Sequence, residues 1–141
     1  MIDDSYNANP TSMAAAVVTL ASVTGGRRVF VAGDMRELGA ESAAWHARVG
    51  EDIARSGIEF VVGVGSACEA LIRGAAAIDP PPLTAQYPDA EQAGADLPGR
   101  LRPGDTVLVK GSRLVGLERL VRAIREQRGV KADAPAPLLQ T

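Results

Sequence analysis

Four short apolar runs punctuate the chain: "RRVFVAG" at 27 to 33, "IEFVVGVG" at 58 to 65, "LTAQY" at 83 to 87 and "DTVLVKG" at 105 to 111. They are mostly β-branched, and the strongest three are apolar almost without interruption. A strand with one wet face alternates apolar and polar positions. A strand that stays apolar is covered on both faces, which is the habit of a parallel sheet. Met1-Ile2 reads as the stub of an earlier strand.

Between these runs the apolar period lengthens to that of a helix. Asn9 is placed to cap a helix whose first residue is Pro10, where a missing N–H costs nothing. Met13, Val17 and Leu20 give that helix its apolar stripe, and "TGG" stops it. A second helix is predicted from about Glu41 to Ser56, burying Trp45, Val49 and Ile53, with Gly57 as its stop. A third, about Ser66 to Ala77, carries Cys68, Leu71, Ile72 and Ala75 at helical spacing. "PDAEQAGADL" opens a fourth, expected to end at Pro98-Gly99, and Leu117, Leu120, Val121 and Ile124 stripe a fifth. The pattern predicts a doubly wound α/β domain over residues 1–128, its sheet mainly parallel with helices on both faces. Residues 129–141 have no period and are expected to form a disordered tail.

Composition narrows the functional classes. The chain has 141 residues, 46 % hydrophobic but only 4 % aromatic, so its core must be aliphatic. A net charge of -2, with scattered arginines, argues against binding nucleic acid or an anionic membrane. No apolar run reaches membrane-spanning length and no signal peptide opens the chain. One cysteine and one histidine leave neither an internal disulfide nor a zinc cluster, and a reducing cytoplasm is the expected compartment.

Ligands of doubly wound sheets collect at the carboxyl ends of the strands. The polar segments there are "DDSYNANP", "GDMRELG", "GVGS" and "KGSR". Asp3 and Asp4 alone would read as solvated acids near a helix start, but Tyr6, Asn7 and Asn9 crowd the same loop and favour a binding role. In "GDMRELG" the glycines make turns, and Asp34 or Glu37 caps a helix or serves the site. Lys110, Ser112 and Arg113, with Gly111 permitting close backbone approach, suit a carboxylate or phosphate better than a solvated turn. His46 lies beside an apolar stripe, where a hydrogen-bonded packing role outweighs acid–base chemistry; Cys68 reads as a buried, inert thiol. "GVGS" lacks the third glycine of a dinucleotide fingerprint, and no GxxxxGK[ST] loop occurs.

Taken in order from about Ile2 to Arg125, "DDSYNANP", "GDMRELG", His46 and "VLVKGSR" resemble the C-terminal domain of the peptidoglycan Mur ligases. The branch is the one that adds D-alanyl-D-alanine to UDP-N-acetylmuramoyl-tripeptide. The resemblance implies an ATP-dependent amide-forming ligase in which a tripeptide acyl phosphate is attacked by the incoming amine. It also implies that two preceding domains are missing and that one of them holds the phosphate-binding loop, the magnesium and most of the ATP. This chain would then be inactive alone, its first loop lying just after an interdomain hinge. By the same resemblance Asp4 bonds the ribose, and Tyr6, Asn7 and Asn9 line the nucleotide side of a cleft. Lys110, Gly111, Ser112 and Arg113 face the dipeptide and the peptide substrate, while Asp34, Glu37 and His46 match motif positions without assigned roles.

Two other classes stay open on the sequence. A receiver-like signalling module would share the paired acids and a lysine after the last strand, although the strand that should end in a phosphoacceptor ends in "GVGS". A stand-alone nucleotide-binding module is the third. The resemblance yields one direct expectation. In the full-length ligase, Arg113→Lys should impair use of D-alanyl-D-alanine more than use of ATP, because lysine keeps the charge but loses the planar fork. Steady-state kinetics varying each substrate in turn check it.

Overall fold

The computed structural model describes residues 8–112, 115–128 and 138–140. The chain opens with α1 (Pro10–Ala21) and then alternates: β1 (Arg28–Gly33), α2 (Ser42–Arg55), β2 (Phe60–Val64), α3 (Cys68–Ala76), β3 (Leu83–Tyr87), α4 (Ala90–Arg100), β4 (Thr106–Lys110), α5 (Leu117–Arg128) and β5 (Leu138–Gln140). All four predicted strands form. The sheet order is β3-β2-β1-β4-β5, with the first four strands mutually parallel and β5 antiparallel to β4. The proposed strand at Met1-Ile2 lies outside the described residues.

The near-continuous apolar strands are buried on both faces. Phe30, Ala32, Val61 and Leu108 pack with Met13, Val17 and Leu20 of α1, Val49 and Ile53 of α2, and Leu71 of α3. On the other face Val29, Val31, Val62 and Val107 pack with Ala93 and Leu97 of α4 and Leu120 and Ile124 of α5. Strand alternation therefore divides the core into two halves of similar make-up. α2 and α3 lie close because Gly50 sits against the Leu71 carbonyl and Gly74 against that of Ala47.

Local chemistry sets the helix starts. Asn9 Oδ1 accepts from Ser12 N at 2.9 Å, and Ser12 Oγ accepts from Asn9 N at 3.1 Å, closing a reciprocal cap with Pro10 at the first helical position. Asp89 caps α4 by accepting from Gln92 N at 2.8 Å. The helix, expected to end at Pro98-Gly99, continues to Arg100. Proline this close to the helix end removes a single hydrogen bond, and Pro98 is buried. Of the tail, residues 129–137 and 141 lie outside the described residues. Leu138–Gln140, expected to be unstructured, pairs with β4 in the register Thr106↔Gln140, Val107↔Leu139 and Leu108↔Leu138. A three-residue strand carries no period, and the edge of β4 supplies the partners that make it one.

The amino end of the sheet is tied by ion pairs. Arg27 holds buried Asp105 through two bonds, Nε to Oδ1 at 3.1 Å and Nη2 to Oδ2 at 2.8 Å, and Asp105 also accepts from Arg102 N at 2.8 Å. Arg28 does the same with Glu59, Nε to Oε1 at 2.9 Å, and bonds the carbonyls of Ala21 and Gly57. Arg27 and Arg100 both stack over the Phe60 ring. Removing one partner of a buried pair strands the other charge. Asp105→Ala should therefore cost about 3–5 kcal/mol in urea denaturation, far more than loss of the exposed Arg55–Glu51 pair on α2.

Candidate functional site

The chain winds outward from β1 to β2 and β3, then returns to place β4 on the other side of β1. The helices change faces with it: α2 and α3 lie on one side, α4 and α5 on the other. The crevice between the carboxyl ends of β1 and β4 is thus the switch point where such folds bind ligands. Gly33 and Gly111 face each other there. A Cβ on Gly111 would lie 2.7 Å from Gly33 Cα and 2.6 Å from Leu117 Cδ1, so the two strands meet at a distance that only glycine permits.

Asp34 follows Gly33 and gathers three elements. Its backbone carbonyl accepts from Ser112 N at 3.2 Å, joining the loops after β1 and β4. Its carboxylate accepts from Cys68 N at 3.0 Å, capping α3 from a distant part of the chain. Gly65, at φ +112°, makes room, since a Cβ there would fall 2.5 Å from the Asp34 carboxyl carbon. The N-terminus of α3 is accordingly already supplied with an anion, and the "GVGS" loop cradles a side chain. Glu37 lies apart, exposed on a bend with a left-handed backbone at φ 62°.

His46 is buried on α2. Its Nε2 accepts from Met35 N at 3.0 Å, and its Nδ1 lies 2.7 Å from the carbonyl oxygen of Ser42, which fixes the proton on Nδ1. Cys68 is equally buried and points its thiol at the Ala32 carbonyl at 3.3 Å. Burial, with the Asp34 carboxylate beside it, pushes that thiol well above its usual pKa. Ligand atoms of Asp34, His46 and Cys68 all lie within 4.8 Å of one another. Each group is already spent on hydrogen bonds, and a protonated thiol is a poor metal ligand, so the three read as a satisfied polar cluster.

Lys110 pairs with Ala32 in the β1–β4 register and is 1 % exposed. Strand alternation puts it on the α1 side of the sheet, with Leu108. Lys110 makes a further polar or electrostatic interaction, and it is buried rather than exposed on the loop. Ser112 is 6 % exposed, and its buried Oγ has no hydrogen-bond partner among the described residues. Val115 N donates to the Ser112 carbonyl at 3.1 Å, turning the chain into α5. An unsatisfied buried hydroxyl at a helix approach suits an anionic ligand atom. Asn9 spends its side-chain oxygen on the α1 cap. Asp4, Tyr6, Asn7 and Arg113 lie outside the described residues. What sequence reasoning missed was Gly33 as the partner of Gly111 and the backbone N–H groups of Met35 and Cys68. Only the spaced glycines hinted at them.

A doubly wound domain with its crevice at the β1/β4 switch point is the class that fold and site define. Residues 1–113 match the family described as Mur ligase, glutamate ligase domain, and the chain belongs to that family. Over 128 residues it is 42 % identical to UDP-N-acetylmuramoyl-tripeptide–D-alanyl-D-alanine ligase of Escherichia coli K12, covering 89 % of this chain and 27 % of that protein. The ligase of the same name from Treponema pallidum (strain Nichols) is 38 % identical over 125 residues, covering 89 % of this chain and 27 % of that protein. A crystal structure of MurF from Acinetobacter baumannii superposes with a TM-score of 0.77 at 34 % identity, covering 88 % of this chain and 27 % of that one. MurF from Thermotoga maritima, solved in complex with ADP, gives 0.70 at 27 % identity, over 89 % of this chain and 27 % of that one. The chain thus spans about a quarter of the length of these relatives. Family membership decides for the Mur ligase domain over the signalling and stand-alone modules.

The glycine contact carries its own expectation. Gly111→Ala should destabilise the domain by about 1–3 kcal/mol, as overpacking does. Leu117→Ala added to it should restore little, because the Gly33 backbone still blocks the new methyl. Urea denaturation of the single and double variants checks both halves.

Proposed function

We propose that this chain is the C-terminal domain of an ATP-dependent ligase that joins D-alanyl-D-alanine to UDP-N-acetylmuramoyl-tripeptide, working in the bacterial cytoplasm. The observation that carries the reading is the 42 % identity to the E. coli ligase, which extends over 89 % of the chain and so embraces the whole β1/β4 crevice. ATP, bound with magnesium mainly by the domains that the relatives possess beyond this one, supplies the phosphoryl group that activates the tripeptide carboxylate. This domain receives the amine substrate and closes the cleft against water.

Within the domain the roles divide by loop. Ser112 Oγ, buried and without a hydrogen-bond partner among the described residues, donates to the dipeptide carboxylate. Arg113 adds the bidentate fork, and Lys110 adds positive charge from below. Gly111 lets the ends of β1 and β4 close on each other, which sets the shape of the crevice floor. Asp4, Tyr6, Asn7 and Asn9 line the nucleotide side, with Asn9 acting by holding the start of α1 in place. Asp34 is the clasp between the crevice loops.

The full-length protein should release phosphate from ATP only when both the UDP-tripeptide and D-alanyl-D-alanine are present, and the 141-residue chain alone should release none. Asp4→Ala in the full-length protein should raise the KM for ATP by the loss of one charge-assisted hydrogen bond, about 1.5–3 kcal/mol, leaving UDP-substrate binding intact. Turnover by the chain alone, or full-length turnover indifferent to the dipeptide, would overturn the reading.

A further inference from the structure

The peptide unit between Asp34 and Met35 is held at both ends. Its carbonyl accepts from Ser112 N at 3.2 Å, and its N–H donates to His46 Nε2 at 3.0 Å. Both groups belong to one plane, so the orientation that satisfies either fixes the other. His46 can only accept at Nε2 because Nδ1 carries the proton toward the Ser42 carbonyl, 2.7 Å away. Met35 and His46 are both buried, so no solvent stands ready to replace the imidazole. Without it the peptide loses its reason to keep its carbonyl turned to Ser112.

We propose that His46 is a positioning residue for the loop after β4: its neutral imidazole sets the Asp34–Met35 peptide plane, which holds Ser112 where the carboxylate of the amine substrate is received. The substrate half of this inference rests on the function proposed above; the peptide clamp does not. Acceptor geometry explains why a histidine occupies an otherwise apolar helix face. An aliphatic residue would fill the space and leave the Met35 N–H unsatisfied. Glutamine can present an oxygen near the position of Nε2, and so should preserve the function that alanine removes.

The test uses the full-length protein with His46→Ala and His46→Gln. Hydrogen exchange at Ser112, read by mass spectrometry, should speed about three- to tenfold in His46→Ala, the loss of roughly one neutral hydrogen bond, while the amides of β2 keep their protection. The KM for D-alanyl-D-alanine should rise by a similar factor with the KM for ATP unchanged, and His46→Gln should restore both. Unchanged exchange at Ser112 in His46→Ala would overturn the clamp. So would exchange that speeds equally throughout the domain, or equal damage to both KM values without rescue by glutamine, since either marks a residue of general stability. If the wild-type protein shows no turnover dependent on D-alanyl-D-alanine, the functional reading and the substrate half fall together, and Ser112 exchange alone decides the clamp.

Discussion

Where β1 and β4 leave the sheet, two glycines let their backbones approach more closely than any pair of side-chain-bearing residues would. The organisation of the carboxyl edge depends on that approach. It brings the Asp34 carbonyl within reach of the Ser112 N–H, and it sets the Asp34 carboxylate over Gly65 at the head of α3. Loops from three parallel strands therefore satisfy one another's backbone groups instead of depending on water. A crevice whose walls are bonded together keeps its shape before any ligand arrives, which lowers the ordering cost of binding.

The two ends of the sheet are fastened differently. At the amino end, arginines 27 and 28 grip Asp105 and Glu59 with several bonds each, and Arg27 lies over the Phe60 ring. At the carboxyl end the Asp34–Met35 peptide is held by one neutral hydrogen bond on either side. Charge-assisted, multidentate contacts resist displacement more than single neutral ones. The charged, multidentate fastenings thus lie away from the crevice, while its loops are joined to one another by single neutral hydrogen bonds.

On the function proposed above, the domain serves a ligase whose activated carboxyl group water would destroy. Catalysis then depends less on a dedicated acid or base in this domain than on delivery of the amine in a fixed pose. That accounts for the character of the crevice. Its histidine is spent on backbone geometry, its cysteine is a buried packing group, and its lysine is buried within the fold.

The strands and helices were legible in the sequence because their cause is local. Continuous β-branched runs admit little but a strand covered on both faces, and Asn9-Pro10 or Leu117, Leu120 and Ile124 specify a helix start or an apolar stripe within a dozen residues. The loops that carry the site were also legible, since strand ends in this fold class are where ligands bind. Their inner chemistry was not. That Lys110 is buried follows from its parity with Leu108 and the cover of α1, which no local pattern discloses. That Asp34 caps α3 requires residues 34 and 68 to meet, and that Leu138–Gln140 is a strand requires the open edge of β4. Sequence fixes what each segment can do alone; hydrogen-bond partners drawn from distant segments exist only once the sheet has brought them together.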